Sequence, residues 1–167
     1  MFISMRMPFW ARALLLSLSL AWALPAPVAA GVEESVLAGV NDARARAGCG
    51  PLRMNPKLTA AAKSHARAMA EQNFFSHAGK DGSRFSNRIK RQGYSYRAAA
   101  ENIAAGQKSA SQVVGGWLKS AGHRRNILNC RLQETGIAVV YQADDKPIRG
   151  QGQPLRYYWV QVFATPR

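Results

Sequence analysis

The chain has 167 residues, enough for one domain with a real core. Its 23 basic residues outnumber 9 acidic ones, giving a formal net charge of +14, which favours anionic over cationic partners without choosing among them. No Gly-rich loop ending in Gly-Lys-Ser/Thr and no dinucleotide fingerprint occurs, so a nucleotide cradle of either kind is excluded.

Residues 1–30 read as an export signal. Arg6 and Arg12 make a basic start, residues 13–24 are apolar apart from serines, and Val28-Ala29-Ala30 is a small-residue cleavage site. The apolar run is short for a membrane span of about 20 residues. Cleavage after Ala30 leaves residues 31–167, with no spanning segment. All nine acidic residues and all but two basic ones lie in that part, so it carries +12. Export into an oxidising compartment predicts that the two cysteines, Cys49 and Cys130, form a disulfide. Closing a loop of about 80 residues would contribute about 4–5 kcal/mol in the chain-entropy view.

Residues 32–47 predict a helix with Val36, Leu37, Val40 and Ala43 on one face, stopped by Gly48. Asn55-Pro56 is the N-cap and first residue of a second helix to about position 72, with Leu58, Ala61, Ala62, His65 and Met69 inward. His65 on that face reads as a core histidine. Ser83 is expected to cap a short helix ending at Gln92. Arg84, Arg88 and Arg91 stripe it, mostly as a solvated face, with one arginine able to reach a cleft carboxylate. Residues 94–103 read as irregular or extended. A helix over 109–120 contains Gly115-Gly116, which predicts close packing there. Ala121-Gly122 should break it, with one further turn at 125–128. Residues 135–141 and 155–164 read as strands of a long-looped antiparallel hairpin. Helices followed by strands make an α+β pattern. The Tyr157-Tyr158-Trp159 cluster suits a sheet core better than base stacking, so nucleic acid is not the expected partner.

His77, Glu101 and His123 stand out chemically. Two imidazoles and a carboxylate are the donor set of an open divalent-metal site, although separations of 24 and 22 residues do not by themselves place them together. Ser76-His77 and Ser120-x-x-His123 put serines near histidines, but no Gly-x-Ser-x-Gly elbow accompanies them. Of the acidic residues only Glu101 and Glu134 have apolar surroundings, which argues against a carboxylate pair for glycoside cleavage.

Together these motifs resemble the CAP superfamily, or SCP domains: the cysteine-rich secretory proteins, antigen 5 and pathogenesis-related proteins. The likeness, closest to the short bacterial branch, covers about residues 33–164. It is carried by Phe75-Ser76-His77 with Asp81-Gly82-Ser83, by Glu101-Asn102-Ile103-Ala104 with Gly106, and by Trp117-x-x-Ser120-x-Gly122-His123-Arg124-x-Asn126-Ile127-Leu128. Gly136-Ile137-Ala138 and Tyr158 to Phe163 fit the closing strands.

The resemblance implies that residues 31–167 form a three-layer α-β-α sandwich with a small antiparallel sheet between helices. It also implies a ligand cleft lined by His77, Glu101, His123 and Ser120. Several relatives hold zinc or another divalent cation there, which makes His77, Glu101 and His123 the candidate metal ligands. Eukaryotic members carry a glutamate where this chain has Ser120, so the family's four-residue set is incomplete. The expectation is a secreted or periplasmic protein whose cleft binds a metal ion or small ligand, held by its basic surface to an anionic envelope component. A metal-assisted hydrolase acting on peptide, cell-wall or phosphodiester bonds is the alternative, and a purely structural envelope protein a third reading. No residue named here sets an oligomeric state.

Overall fold

A computed structural model describes residues 31–167. The export-signal reading of residues 1–30 lies outside the described residues.

Among the described residues five helices and four strands follow one another as α1 Val32–Arg46, β1 Arg53–Met54, α2 Pro56–Glu71, α3 Phe85–Arg91, β2 Tyr96–Ala105, α4 Ala110–Lys119, α5 Ala121–Ile127, β3 Glu134–Tyr141 and β4 Tyr157–Pro166. The sheet order is β1-β3-β4-β2. β4 lies between β3 and β2, antiparallel to both. The expected hairpin is therefore present, but the sheet is mixed rather than purely antiparallel. The two-residue β1, too short to leave a periodic signature, pairs parallel to β3.

Alternation along the strands assigns each layer its core. On one face Val160, Val162, Ile103 and Ala138 pack against Leu58, Ala62, Ala66 and Met69 of α2 and Ile89 of α3. On the other, Trp159, Phe163 and Ile137 meet Val36 and Val40 of α1, Val113 and Trp117 of α4, and Ile127 of α5. The result is the α-β-α sandwich.

Local chemistry explains most element ends. The Asn55 side chain accepts from the backbone N–H groups of Lys57 and Leu58, capping α2 as its Asn-Pro start implies. Ser109 caps α4 by accepting from the N–H of Gln112. Three readings change. Ser83 does not cap α3; Arg84 holds that position, its N–H donating to Asn87 Oδ1. The break after α4 is at Ser120, in extended conformation, so His123 lies inside α5 rather than ahead of a single turn. The Gly115-Gly116 pair is not there for close packing, since a Cβ at either would have open space. Close packing belongs instead to Gly136, where a Cβ would run into the backbone of Leu58 and Thr59 at the start of α2.

Two buried devices tie chain segments together. Cys49 and Cys130 are disulfide-bonded, joining the end of α1 to the segment after α5. Beside them the buried Arg44 donates to the carbonyls of Gly50, Ile127, Asn129 and Leu132, with no carboxylate in the set.

Candidate cleft at the β2 edge

β2 is an edge strand, and its neighbours Glu101 and Asn102 point to opposite faces of the sheet. This places one polar side chain in each layer.

Glu101 belongs to the α2–α3 layer. Its side chain is 1% exposed, and both oxygens are engaged. Oε2 accepts from Arg88 Nη2 at 2.7 Å, and Oε1 accepts from His77 Nδ1 at 2.9 Å. A carboxylate can only accept, so His77 Nδ1 carries a proton, and in the neutral imidazole Nε2 then presents a lone pair. No protein group among the described residues bonds to that Nε2, and the His77 side chain is 54% exposed. Arg88, buried to the same depth as Glu101, also donates to the carbonyls of His77 and Ser83. One guanidinium thus fixes both the carboxylate and the loop that carries His77. Of the arginine stripe, Arg84 and Arg91 are exposed and Arg88 reaches the carboxylate.

Asn102 belongs to the α4–α5 layer. It is fully buried, donates to the His123 carbonyl at 3.2 Å and accepts from Asn126 Nδ2 at 2.8 Å. Asn126 also donates to the Glu101 carbonyl, and Trp117 Nε1 donates to that of Ile103. These side chains cover the free edge of β2 and seat α5, with His123, beside it. Burial holds the His123 imidazole below its ordinary pKa, and protonation of His77 would lower it further. His77 and His123 thus stand in the two layers that flank the β2 edge, with Glu101 bonded behind His77.

His65 is buried at the base of this arrangement, its Nε2 within 2.8 Å of the Ser76 carbonyl and its ring edge-on to Phe74. Burial is the main cause of its lowered pKa, followed by the charge of Arg88. It supports the His77 loop from below. Ser120 sits at the α4–α5 junction and makes no side-chain hydrogen bond among the described residues. Glu134 is at the far end of the sheet, bonded to Asn55 and Tyr94.

Three-ligand metal binding does not fit this donor arrangement. Glu101 already serves Arg88 and His77, and no three His, Cys, Asp or Glu side chains among the described residues form a group able to hold an ion. A carboxylate behind an imidazole orients that imidazole rather than occupying the coordination sphere.

The sequence profile of the cysteine-rich secretory protein family, CAP, matches residues 37–163. The chain belongs to the CAP family. Among curated proteins it is similar to the uncharacterized protein YkwD of Bacillus subtilis, 38% identical over 109 residues. That match covers 65% of this chain and 42% of the relative. The uncharacterized membrane protein YlbC of the same organism is 31% identical over 107 residues, covering 64% of this chain and 31% of its own length. The chain thus spans less than half of either relative. Among solved structures, an extracellular SCP-domain protein of Bacillus anthracis aligns at TM-score 0.68 with 24% identity, covering 81% of this chain and 40% of that one. An outer surface protein of Borrelia burgdorferi aligns at TM-score 0.70 with 19% identity, covering 83% and 97%. These two likenesses show the CAP fold.

The Glu-Asn and Gly-His motifs of the resemblance thus have structural jobs in this CAP domain. Asn126 is the member that residue-type reasoning passed over as a functional residue. Its signal was its place in the motif around His123, since an asparagine alone announces no chemistry.

Proposed function

We propose that this CAP domain is an exported binding module whose cleft takes a small polar ligand between His77 and His123. The observation that carries it is the use of Glu101. A buried carboxylate with both oxygens engaged holds His77 in one tautomer, leaving Nε2 as an unpartnered acceptor at the surface. No serine nucleophile among the described residues is paired with that imidazole. Ser76 Oγ accepts from the Ala78 N–H, and no serine among the described residues is bonded to His77 or His123. Export is supported by the leader-like residues 1–30 and by the Cys49–Cys130 disulfide, a bond that persists in oxidising compartments. No described helix is long and apolar enough to cross a membrane.

The test is ligand-observed NMR with a fragment library against the folded domain and a His77→Ala/His123→Ala variant. Fragments that bind the parent should lose affinity for the variant. Equal binding to both proteins would remove the cleft from the reading.

A hydrolytic reading has one observation in its favour. An imidazole backed by a carboxylate and open at Nε2 is the geometry of a general base. Turnover of a peptide, glycan or phosphodiester panel, lost in Glu101→Gln at unchanged folding, would replace binding by catalysis.

A further inference from the structure

Between residues 82 and 133 the chain has ten basic residues and one acidic residue, a net +9. The acidic one is Glu101, buried against Arg88, so this pair presents no charge outward. The other nine basic residues are all exposed. Only Arg91 has a carboxylate within ion-pair reach, Asp81 at 3.4 Å. Residues 31–167 carry +12, so everything outside this segment contributes only +3. The excess charge is therefore concentrated in the segment that supplies the β2 edge and the helices beside it. Arg84 and Arg91 belong to α3, in the layer that holds Glu101 and His77, while Lys119 ends α4 and Arg124 and Arg125 belong to α5, which carries His123. The cleft itself offers no compensating anion, with Glu101 neutralised and Ser120 in place of the family's acid.

The pattern also constrains the partner. Exposed cations distributed from α3 across to α5 match a chain of repeated charges better than a single small anion. Base stacking lacks a platform, since Tyr94 and Trp117 are buried and Phe85 and Tyr96 are half-buried. Bilayer insertion lacks a broad apolar anchor, because, of the exposed large hydrophobic residues among those described, Val32, Phe75 and Tyr141, only Phe75 belongs to the loop of His77.

We propose that the α3–α5 face binds a linear polyanion without bases, carrying repeated phosphate or carboxylate groups on a sugar, polyol or phosphate backbone, laid across the His77–His123 cleft. This deepens the cleft reading above and rests on it only for where the polymer crosses.

Equilibrium binding to inorganic polyphosphate and to polygalacturonate, over a salt series, tests it. The probe variant is Arg124→Gln/Arg125→Gln. The control is Lys63→Gln/Arg67→Gln, which removes the same charge from the exposed face of α2. The probe variant should bind about tenfold more weakly and lower the log–log salt slope by about 2, one for each anionic group of the polymer left without its arginine. The control should stay close to the parent. Preference for polyphosphate or for polygalacturonate identifies the phosphate or the carboxylate form. Equal weakening by both variants overturns the proposal, because net charge alone then accounts for binding. Tighter binding to single-stranded DNA of equal charge, or to vesicles containing anionic lipid, overturns it in favour of those partners. Weakened binding in the arginine variant with full binding in His77→Ala/His123→Ala sustains the polymer surface and removes the cleft from it.

Discussion

At the residue scale the consequential contact is Arg88 with Glu101. Two ions buried side by side are tolerable only while each has its partner. Arg88→Met would strand Glu101 and release the carbonyls of His77 and Ser83, so a loss of about 3–5 kcal/mol is expected in chemical denaturation. Adding Glu101→Gln should restore part of it, because the stranded charge is then gone. A cost below about 1 kcal/mol would mean that water replaces the guanidinium. The stripe of three arginines was legible in the sequence, but which one turns inward depends on how α3 docks. His65 gives a second prediction. Its folded pKa is lowered, so below the ordinary histidine value the unfolded chain binds more protons than the folded one. Stability should therefore fall as pH drops from about 6.5 toward the depressed value. His123 is shifted the same way and adds to the slope. His65→Gln should flatten the pH dependence of the urea midpoint between about pH 7.5 and about pH 5. An unchanged slope would exclude His65 as a source.

At the element scale, helix and strand types followed from periodicity, whereas packing partners did not. The glycines of α4 and β3 show the difference. Gly115 and Gly116 looked like a close-packing pair because glycine is costly inside a helix, yet open space surrounds both. Gly115→Ala and Gly116→Ala should therefore each raise stability by about 0.5–1 kcal/mol in thermal or chemical unfolding. Gly136→Ala should do the reverse, costing more than about 3 kcal/mol or preventing folding, because the methyl would meet backbone that cannot rotate away. A sequence presents both cases as glycine in a regular element. What lies opposite is set by the other layer. α5 teaches the same lesson: Gly122 suggested a break, but the turn is made at Ser120, and the Asn102–His123 and Asn126–Glu101 hydrogen bonds anchor the short helix.

At the scale of the whole molecule, the Cys49–Cys130 bridge joins the end of α1 to the segment after α5 across 81 residues of sequence. Reduction should lower stability by about 4–5 kcal/mol if chain entropy dominates. Arg44 continues to grip the 127–132 segment after reduction, so the reduced domain should keep its fold at low temperature and melt earlier. Unfolding curves with and without reductant measure this. Complete loss of structure on reduction would show that Arg44 cannot hold the segment alone. The sequence by itself determined the α+β class, the cysteine pair, the helix cap at Asn55, and His77, Glu101 and His123 as the residues of interest. Those are local or compositional properties, or ordered motifs. Tertiary structure decided that Glu101 stands behind His77 and not beside His123, and that Arg88 neutralises it. It also set the exposed cations of α3 and α5 in the two layers that flank the β2 edge. Roles of this kind arise where β2, α3 and α5 meet. Segments more than twenty residues apart acquire a shared geometry only when the sheet and both helical layers close around their cores.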